Sequence, residues 1–394
     1  MIRSILLFLL VLSTFEKSDV YFTKEISPEK IVEMFKKLNV TLKGKVGLKV
    51  HTGEKNGPYY LRPSFLKNIY EYTKGTFIEC NVAYTGSRHN TEVHRELLKL
   101  NGWDDYNTVI MDEDENKDKI LEVKNHHNIS KNYVGEHLTD FNSCLVLAHF
   151  KGHGMGGFGG ALKQLSIGFA SKKGKYYIHS AGATTNSSGL GNLRATQLDF
   201  TSSMADAAST IVDYFKNDGG IAYINVLVNI SKSCDCAGER APKPQIRDIG
   251  ILASTDPVAI DKACYDLIVK ENNEGSQDWV KQSETKLGLN TLKIAVEHKL
   301  GTEEYNLIDI DEDGKDDGDT DKGGKEEGGK GNNKGEDNSG KGDNNLLLYI
   351  LIPIASVVVI GVIIFLVYYF MKKKKNENLI VNEDIGETVP EDNE

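Results

Sequence analysis

From Leu346 to Met371 the chain carries no charged residue. With a rise of about 1.5 Å per residue, a helix of that length crosses a hydrocarbon core of about 30 Å. Only Pro353 and Gly361 weaken a helix there, and the run ends in Tyr368, Tyr369 and Phe370 followed by Lys372 to Lys375. Interfacial aromatics and cytosolic lysines are the flanks expected of a membrane span. The start of the chain carries a matching signal: Arg3, an apolar run from Ile5 to Leu12, then Ser13, Thr14 and Ser18. That order reads as a secretory signal peptide, and the run is too short to cross a bilayer. The two segments predict a signal peptide at 1–18, a lumenal or extracellular domain at 19–308, a stalk at 309–345, one transmembrane helix at 346–371 and a cytosolic tail at 372–394. The charged tail argues against a lipid-anchor signal whose apolar segment is removed. The expected protein is a single-pass membrane protein of the plasma membrane or an endomembrane. Sequons at Asn39, Asn128, Asn186 and Asn229 agree with a glycoprotein on the secretory route.

Charge follows the same partition. The stalk holds thirteen acids and six bases, and the tail from Lys372 seven acids and four bases. These two segments carry the whole formal charge of −10, so residues 1–308 are electrically balanced. A balanced domain without a basic stripe does not read as a nucleic-acid binder. The stalk has almost nothing to bury and reads as low-complexity, disordered sequence. Its opening Asp309-x-Asp311-x-Asp313-Gly314 imitates a calcium loop, but the twelfth position is Thr320 where a bidentate Glu is needed. Five cysteines, at 80, 144, 234, 236 and 264, are too few for a disulfide-built scaffold, so ordinary packing must hold the domain.

Within the domain, apolar runs of strand length alternate with amphipathic helices. Strands are expected at Lys45–His51, Thr76–Val82, Asn107–Asp112, Ser143–Phe150, Gly220–Val228 and Ile249–Ala253. Helices are expected at Pro28–Leu38, Pro63–Tyr72, Thr91–Leu100, Ala161–Ala170, Ser202–Lys216, Pro257–Lys270 and Thr291–Lys299. Asp256 before Pro257 is an N-cap signal, and Gly102 terminates the helix that starts after Asn90. The alternation implies an α/β fold with a mostly parallel sheet and helices on both faces.

The most distinctive segment is His149 to Lys163, HFKGHGMGGFGGALK, between an apolar strand and a helix. Such a loop can point backbone N–H groups and a helix N-terminus at an anion. Gly154-x-Gly156-x-x-Gly159 formally fits the dinucleotide fingerprint, but no acidic residue stands at the required distance on a following strand, so that function is set aside. The remaining reading is an anion cradle with Gly156, Gly159 and Gly160, flanked by His149 and Lys151. His153 is the expected acid/base group and Lys163 the charge stabiliser. Two more clusters end strands: His51, Glu54 and Lys55 with Arg62, and Asn81 with Tyr84 and Arg88. Ligands in open α/β sheets sit beyond such strand ends. Cys234 and Cys236, one residue apart, could chelate a soft metal, form a disulfide, or be small buried residues.

In order along the chain, His51-x-Gly53-Glu54-Lys55, Arg62-Pro63, Tyr84-x-Gly86-x-Arg88, His149-Phe150-Lys151-Gly152-His153, Gly159-Gly160-Ala161-Leu162-Lys163, Cys234-Asp235-Cys236 and Asp248 to Asp261 resemble the domain-of-unknown-function 362 family. The resemblance covers about Val46 to Ile308. Many relatives are described as iron–sulfur proteins because of an inserted pair of four-cysteine motifs. The corresponding stretch here, His179 to Asp199, has no cysteine, so an iron–sulfur cluster is not expected. Relatives tend to have Asp-Thr-Asn where this chain has Glu79-Cys80-Asn81. The glycine-lysine loop is also similar to that of the lactate racemase family, which uses a nickel pincer cofactor. The expectation is a membrane-anchored domain binding a small anionic ligand, with a metal ion as possible cofactor. The alternative is a non-catalytic receptor or adhesion ectodomain, suggested by the sequon at Asn229 close to Cys234.

Overall fold

In the strand Ser143–His149, Cys144 and Val146 belong to one apolar cluster and Leu145 and Leu147 to another, and all four are buried. Successive side chains leave opposite faces of a strand, so this one must be covered on both sides. The computed structural model describes residues 17–186, 190 and 193–312. In chain order it contains β1 (Ser18–Thr23), α1 (Pro28–Lys37), β2 (Val46–Lys49), α2 (Lys67–Thr73), β3 (Thr76–Glu79), α3 (Thr91–Leu100), β4 (Thr108–Ile110), β5 (Asp118–Glu122) and β6 (Lys131–Gly135). There follow β7 (Ser143–His149), β8 (Lys151–His153), β9 (Gly157–Gly159), α4 (Ala161–Lys163), α5 (Lys172–His179), α6 (Gln197–Lys216), β10 (Ile221–Leu227), β11 (Gly250–Ser254), α7 (Pro257–Glu271), α8 (Glu274–Thr285), α9 (Gly288–Glu297) and β12 (Tyr305–Asp309).

Eight strands form one sheet in the order β12-β1-β11-β10-β7-β2-β3-β4. All neighbours are parallel except β11, which runs antiparallel to both β10 and β1. One face is covered by α1, α2 and α3 through residues such as Ile31, Ile69 and Leu98. The other carries α4, α6, α7, α8 and α9 through Leu162, Ile211, Ile260, Trp279 and Leu292. The expected mostly parallel α/β architecture is therefore present. From β2 the chain moves outward to β3 and β4, whereas β7 returns to the opposite side of β2. That reversal opens a crevice beyond the carboxyl ends of β2 and β7.

Local chemistry sets the element ends. Asn90 accepts from the Val93 N–H at 3.1 Å to start α3, and Gly102, with φ +77°, closes its end. Asp256 accepts from Val258 and Ala259 at 2.8 and 2.9 Å, with Pro257 in the first helical position.

Two expected boundaries are corrected. Ser18 is already part of β1, and its hydroxyl donates to Asp256 at 2.7 Å, so the segment 1–18 overlaps the folded domain. At the other end Ile310 is buried and Asp311 accepts from Thr23 Oγ1 at 2.7 Å and Lys24 N at 2.8 Å, so the fold continues past 308. Asp309 and Asp311 are therefore engaged with Lys24, Lys30 and Thr23, not arranged as a calcium loop. The remainder of the expected signal peptide and stalk, the transmembrane helix and the tail lie outside the described residues. Among the described residues no helix is long and apolar enough to cross a membrane.

Candidate functional site

A cavity of about 330 Å³ lies in the crevice. His51 follows β2, Glu79 ends β3, His149 ends β7, and β8 supplies Lys151 and His153. Lys163 and Gln164 come from α4 and the π-helical turn Gln164–Gly168 that continues it, and Lys175 and His179 from α5. The turn after β10 contributes Cys234, Asp235 and Cys236.

The glycine-rich loop is not the backbone anion cradle expected from the sequence. Lys151–His153 and Gly157–Gly159 pair as a short antiparallel hairpin. The N–H groups of Met155 and Gly156 donate to His153 Nδ1 at 3.3 and 2.9 Å. At the start of α4, the Ala161 and Leu162 N–H groups donate to the carboxylate of Asp261 at 2.8 and 2.9 Å. The anion favoured at that helix end is thus the chain's own side chain. A Cβ at Gly160 would lie 2.3 Å from Asp261 Oδ1, which accounts for the glycine. Burial of Asp261, which also accepts from Asn225, pushes its carboxyl up to about 6.

Side chains carry the charge of the site. Lys49, fully buried in β2, donates to Val50 O at 2.6 Å, Glu79 at 2.8 Å and Gln164 at 3.0 Å. Arg88 donates to Glu54 at 3.0 Å, to Glu79 at 3.2 Å, and to the Tyr84 hydroxyl and His51 Nε2 at 3.0 Å each. Burial alone would raise the Glu79 carboxyl, but Lys49 and Arg88 outweigh it and hold it at about 2. Lys151 is paired with Asp235 and lies 2.9 Å from His149 Nδ1, while His149 Nε2 donates to Val228 O at 2.6 Å. Lys175 donates to Ala170 O. The Lys163 amino group has no hydrogen-bond or ion-pair partner among the described residues. Burial, reinforced by nearby Arg88, lowers its ammonium to about 8.

His153 is held by its acceptor side. Because Nδ1 receives two backbone N–H groups, the neutral ring carries its proton on Nε2. Burial and then Lys163 push its pKa well below the usual histidine range. It is therefore a fixed hydrogen-bond donor, not a ready base.

One ring nitrogen of His153 and the sulfurs of Cys234 and Cys236 lie within 4.8 Å of one another, so the group could hold a metal ion. The two sulfurs are joined to each other in the structure. Metal ligation requires thiolates, so the chain fits a soft metal only with this bond reduced.

Of the residues expected at the site, His51, Tyr84, Arg88, His149, Lys151, His153, Gly159, Gly160, Lys163, Cys234 and Cys236 line the cavity. Glu54 stands behind it, holding Arg88 and Tyr84. Four expectations are corrected. Lys55 is exposed, and Arg62 lies over the Tyr60 ring with its carbon 4.0 Å from the centroid. Asn81 is a structural latch, accepting from His94 and donating to Thr91 and the Asp112 carbonyl. Gly156 faces a separate, smaller cavity. Glu79, Lys49, Asp235, Lys175 and His179 were not singled out as site residues. A lysine inside the apolar run Val46-Gly47-Leu48-Lys49-Val50 was the one local sign of a buried partner.

Fold and cavity together define an α/β domain with a charge-lined pocket at the switch point of its sheet. Residues 46–266 match the family described as domain of unknown function (DUF362), and the chain belongs to that family. No curated protein is significantly similar to it. Among solved structures, the lactate racemase apoprotein of Thermoanaerobacterium thermosaccharolyticum is 12% identical over 64% of this chain and 58% of that one, with a TM-score of 0.35. A Thermotoga maritima protein solved by the Northeast Structural Genomics Consortium is 13% identical over 70% of this chain and 60% of its own, with a TM-score of 0.36. The chain thus spans less than two thirds of the length of either structure.

Proposed function

We propose that the domain binds a small organic anion in this cavity while the segment 346–371 anchors it to a membrane with the site on the lumenal or extracellular side. The observation that carries the binding reading is Lys163, an amino group without a counter-ion among the described residues, on a wall that also holds Lys151, Lys175 and Arg88. The acids at the site, Glu54, Glu79 and Asp235, are already matched to Arg88, Lys49 and Lys151. A ligand carboxylate or phosphate supplies the missing charge, and the Nε2–H of His153 donates to it. A metal ion would be held by the thiolates of Cys234 and Cys236 once their bond is reduced, and by His153 Nε2 only with the ring proton moved to Nδ1 and the Met155 and Gly156 N–H groups released. It would then polarise a ligand oxygen in place of the Nε2–H hydrogen bond.

The test is a thermal-shift and calorimetry panel of small carboxylates and inorganic phosphate on the full chain in detergent. At least one anion should raise the melting temperature in a saturable way, and replacing His153 and Lys163 together by Ala should abolish that rise. An unchanged response in the double variant would overturn the reading. The receptor reading rests on the sequon at Asn229, five residues before Cys234 in the cavity wall. Glycan mapping separates the two: a sugar on Asn229 with no anion response favours a receptor.

A further inference from the structure

Four lysines stand at or against the cavity, and the amino groups of three of them have hydrogen-bond partners. Lys49 has three acceptors for its three protons, Lys151 has Asp235 and His149, and Lys175 has the Ala170 carbonyl. Lys163 alone has no acceptor among the described residues. Its stem is nonetheless positioned: a Cβ at Gly159 would come 3.3 Å from Lys163 Cδ, so the glycine lets the side chain lie along β9. Its amino group faces Arg88, Lys49, Lys175 and Lys151, the rings of His51, His153 and His179, and Glu79 as the acid. Glu79 is already bonded to Lys49 and Arg88.

We propose that Lys163 is a nucleophile that captures the carbonyl group of a small carboxylate ligand as an imine. This rests on the anion-binding reading and names the ligand class, an aldehyde or keto acid. An amine among cations and without a counter-ion sheds its proton and presents a lone pair. The lone pair forms a C–N bond to the carbonyl carbon while the C=O π pair moves to oxygen. Nitrogen then loses a proton, the protonated oxygen leaves as water, and a C=N bond remains. Water is the only by-product, and no oxidant or reductant takes part. His153, on the same wall, offers its Nε2–H to the oxygen as charge develops there. The ligand's carboxylate supplies the negative charge that the chain leaves out.

The experiment treats the full chain in detergent with glyoxylate and sodium cyanoborohydride near pH 7.5, then maps the peptides by mass spectrometry. Lys163 should carry the carboxymethyl group at least about tenfold faster than Lys49 or surface lysines, since each unit of lowered pKa frees about tenfold more neutral amine. It should also outpace Lys151 and Lys175, whose ammonium groups burial likewise lowers but whose amino groups are held by Asp235 and His149 and by the Ala170 carbonyl. Glycolate, which has an alcohol where glyoxylate has its aldehyde, should slow that labelling by competition and shift the melting temperature. Lys163→Arg should lose the adduct. If glycolate stabilises the protein but Lys163 is labelled no faster than surface lysines, the imine is overturned and anion binding stands. If neither selective labelling nor any anion-dependent shift appears, both readings fall.

Discussion

At the scale of single residues, Glu79 is the hinge of the site. It is 3% exposed and joins Lys49 to Arg88, which in turn holds Glu54, Tyr84 and His51. Removing one partner from such a network leaves buried charges unpaired. Glu79→Gln is therefore expected to cost about 3–5 kcal/mol in urea unfolding. Because the Glu79 carboxyl is held at about 2, below its unfolded value of 4.5, its contribution is complete above about pH 4.5 and lost as pH falls toward 2. Asp261 has the opposite sign. Its carboxyl is raised from 3.8 to about 6, so its favourable neutral form is complete below about pH 3.8 and lost as pH rises through 6. Wild type should accordingly lose more stability than Asp261→Asn between pH 4 and 7. Buried histidines such as His153 and His179 push the other way over part of that range, so the difference between the two proteins isolates the carboxylate. Equal pH profiles would show that Asp261 is ionised at little cost. Residues carrying a motif were legible in the sequence, among them His51, Arg88, His149, His153 and Lys163. Glu79, Asp235 and Asp261 were not read in the roles they fill, because the pairings of Lys49 with Glu79, His149 with Asp235 and Ala161 with Asp261 join segments 30 to 100 residues apart.

Among the elements, the apolar segments that hold β2, β3, β4, β7, β10 and β11 were readable because burial leaves local marks, and α3 and α7 because their caps do, whereas the capped helices α5 and α8 were not expected. Shorter pieces were not. β8 and β9 have three residues each, too few to show a period, and β12 is a half-exposed edge. The glycine loop was readable as special but not in its role. Its pattern fits an anion cradle, yet Asp261 reaches the helix start from α7 and takes the place of a ligand. The hairpin instead brings His153 to the Cys234-Asp235-Cys236 turn. That juxtaposition predicts a redox dependence. After reduction and exposure to Zn²⁺, the full chain should retain about one ion per chain by elemental analysis, whereas the oxidised protein should retain none. Cys234→Ser should retain no ion even after reduction. Metal bound equally by oxidised protein would place the site elsewhere.

At the scale of the whole molecule, the first and last described strands are neighbours: β1 pairs in parallel with β12 over five residues and antiparallel with β11 over three. β1 thus lies between two partners, and Val20 and Phe22 are core residues. Removing its first residues would leave backbone groups of β12 unpaired and take away the Asp19 carbonyl to which the Ser254 hydroxyl donates. The apolar run Ile5–Leu12 is expected to be a targeting signal, but the sequence does not mark where folded chain begins, because Val20-Tyr21-Phe22 is apolar on its own account. If the segment is a cleaved signal, the cut must fall before Ser18, whose hydroxyl bonds Asp256 at the start of α7. N-terminal sequencing of protein purified from a secretory host should therefore read a first residue no later than Ser18. A mature chain beginning at Asp19 or beyond would mean that the domain tolerates loss of the Ser18 tie, and that the β1–β12 pairing is stable without its first rung.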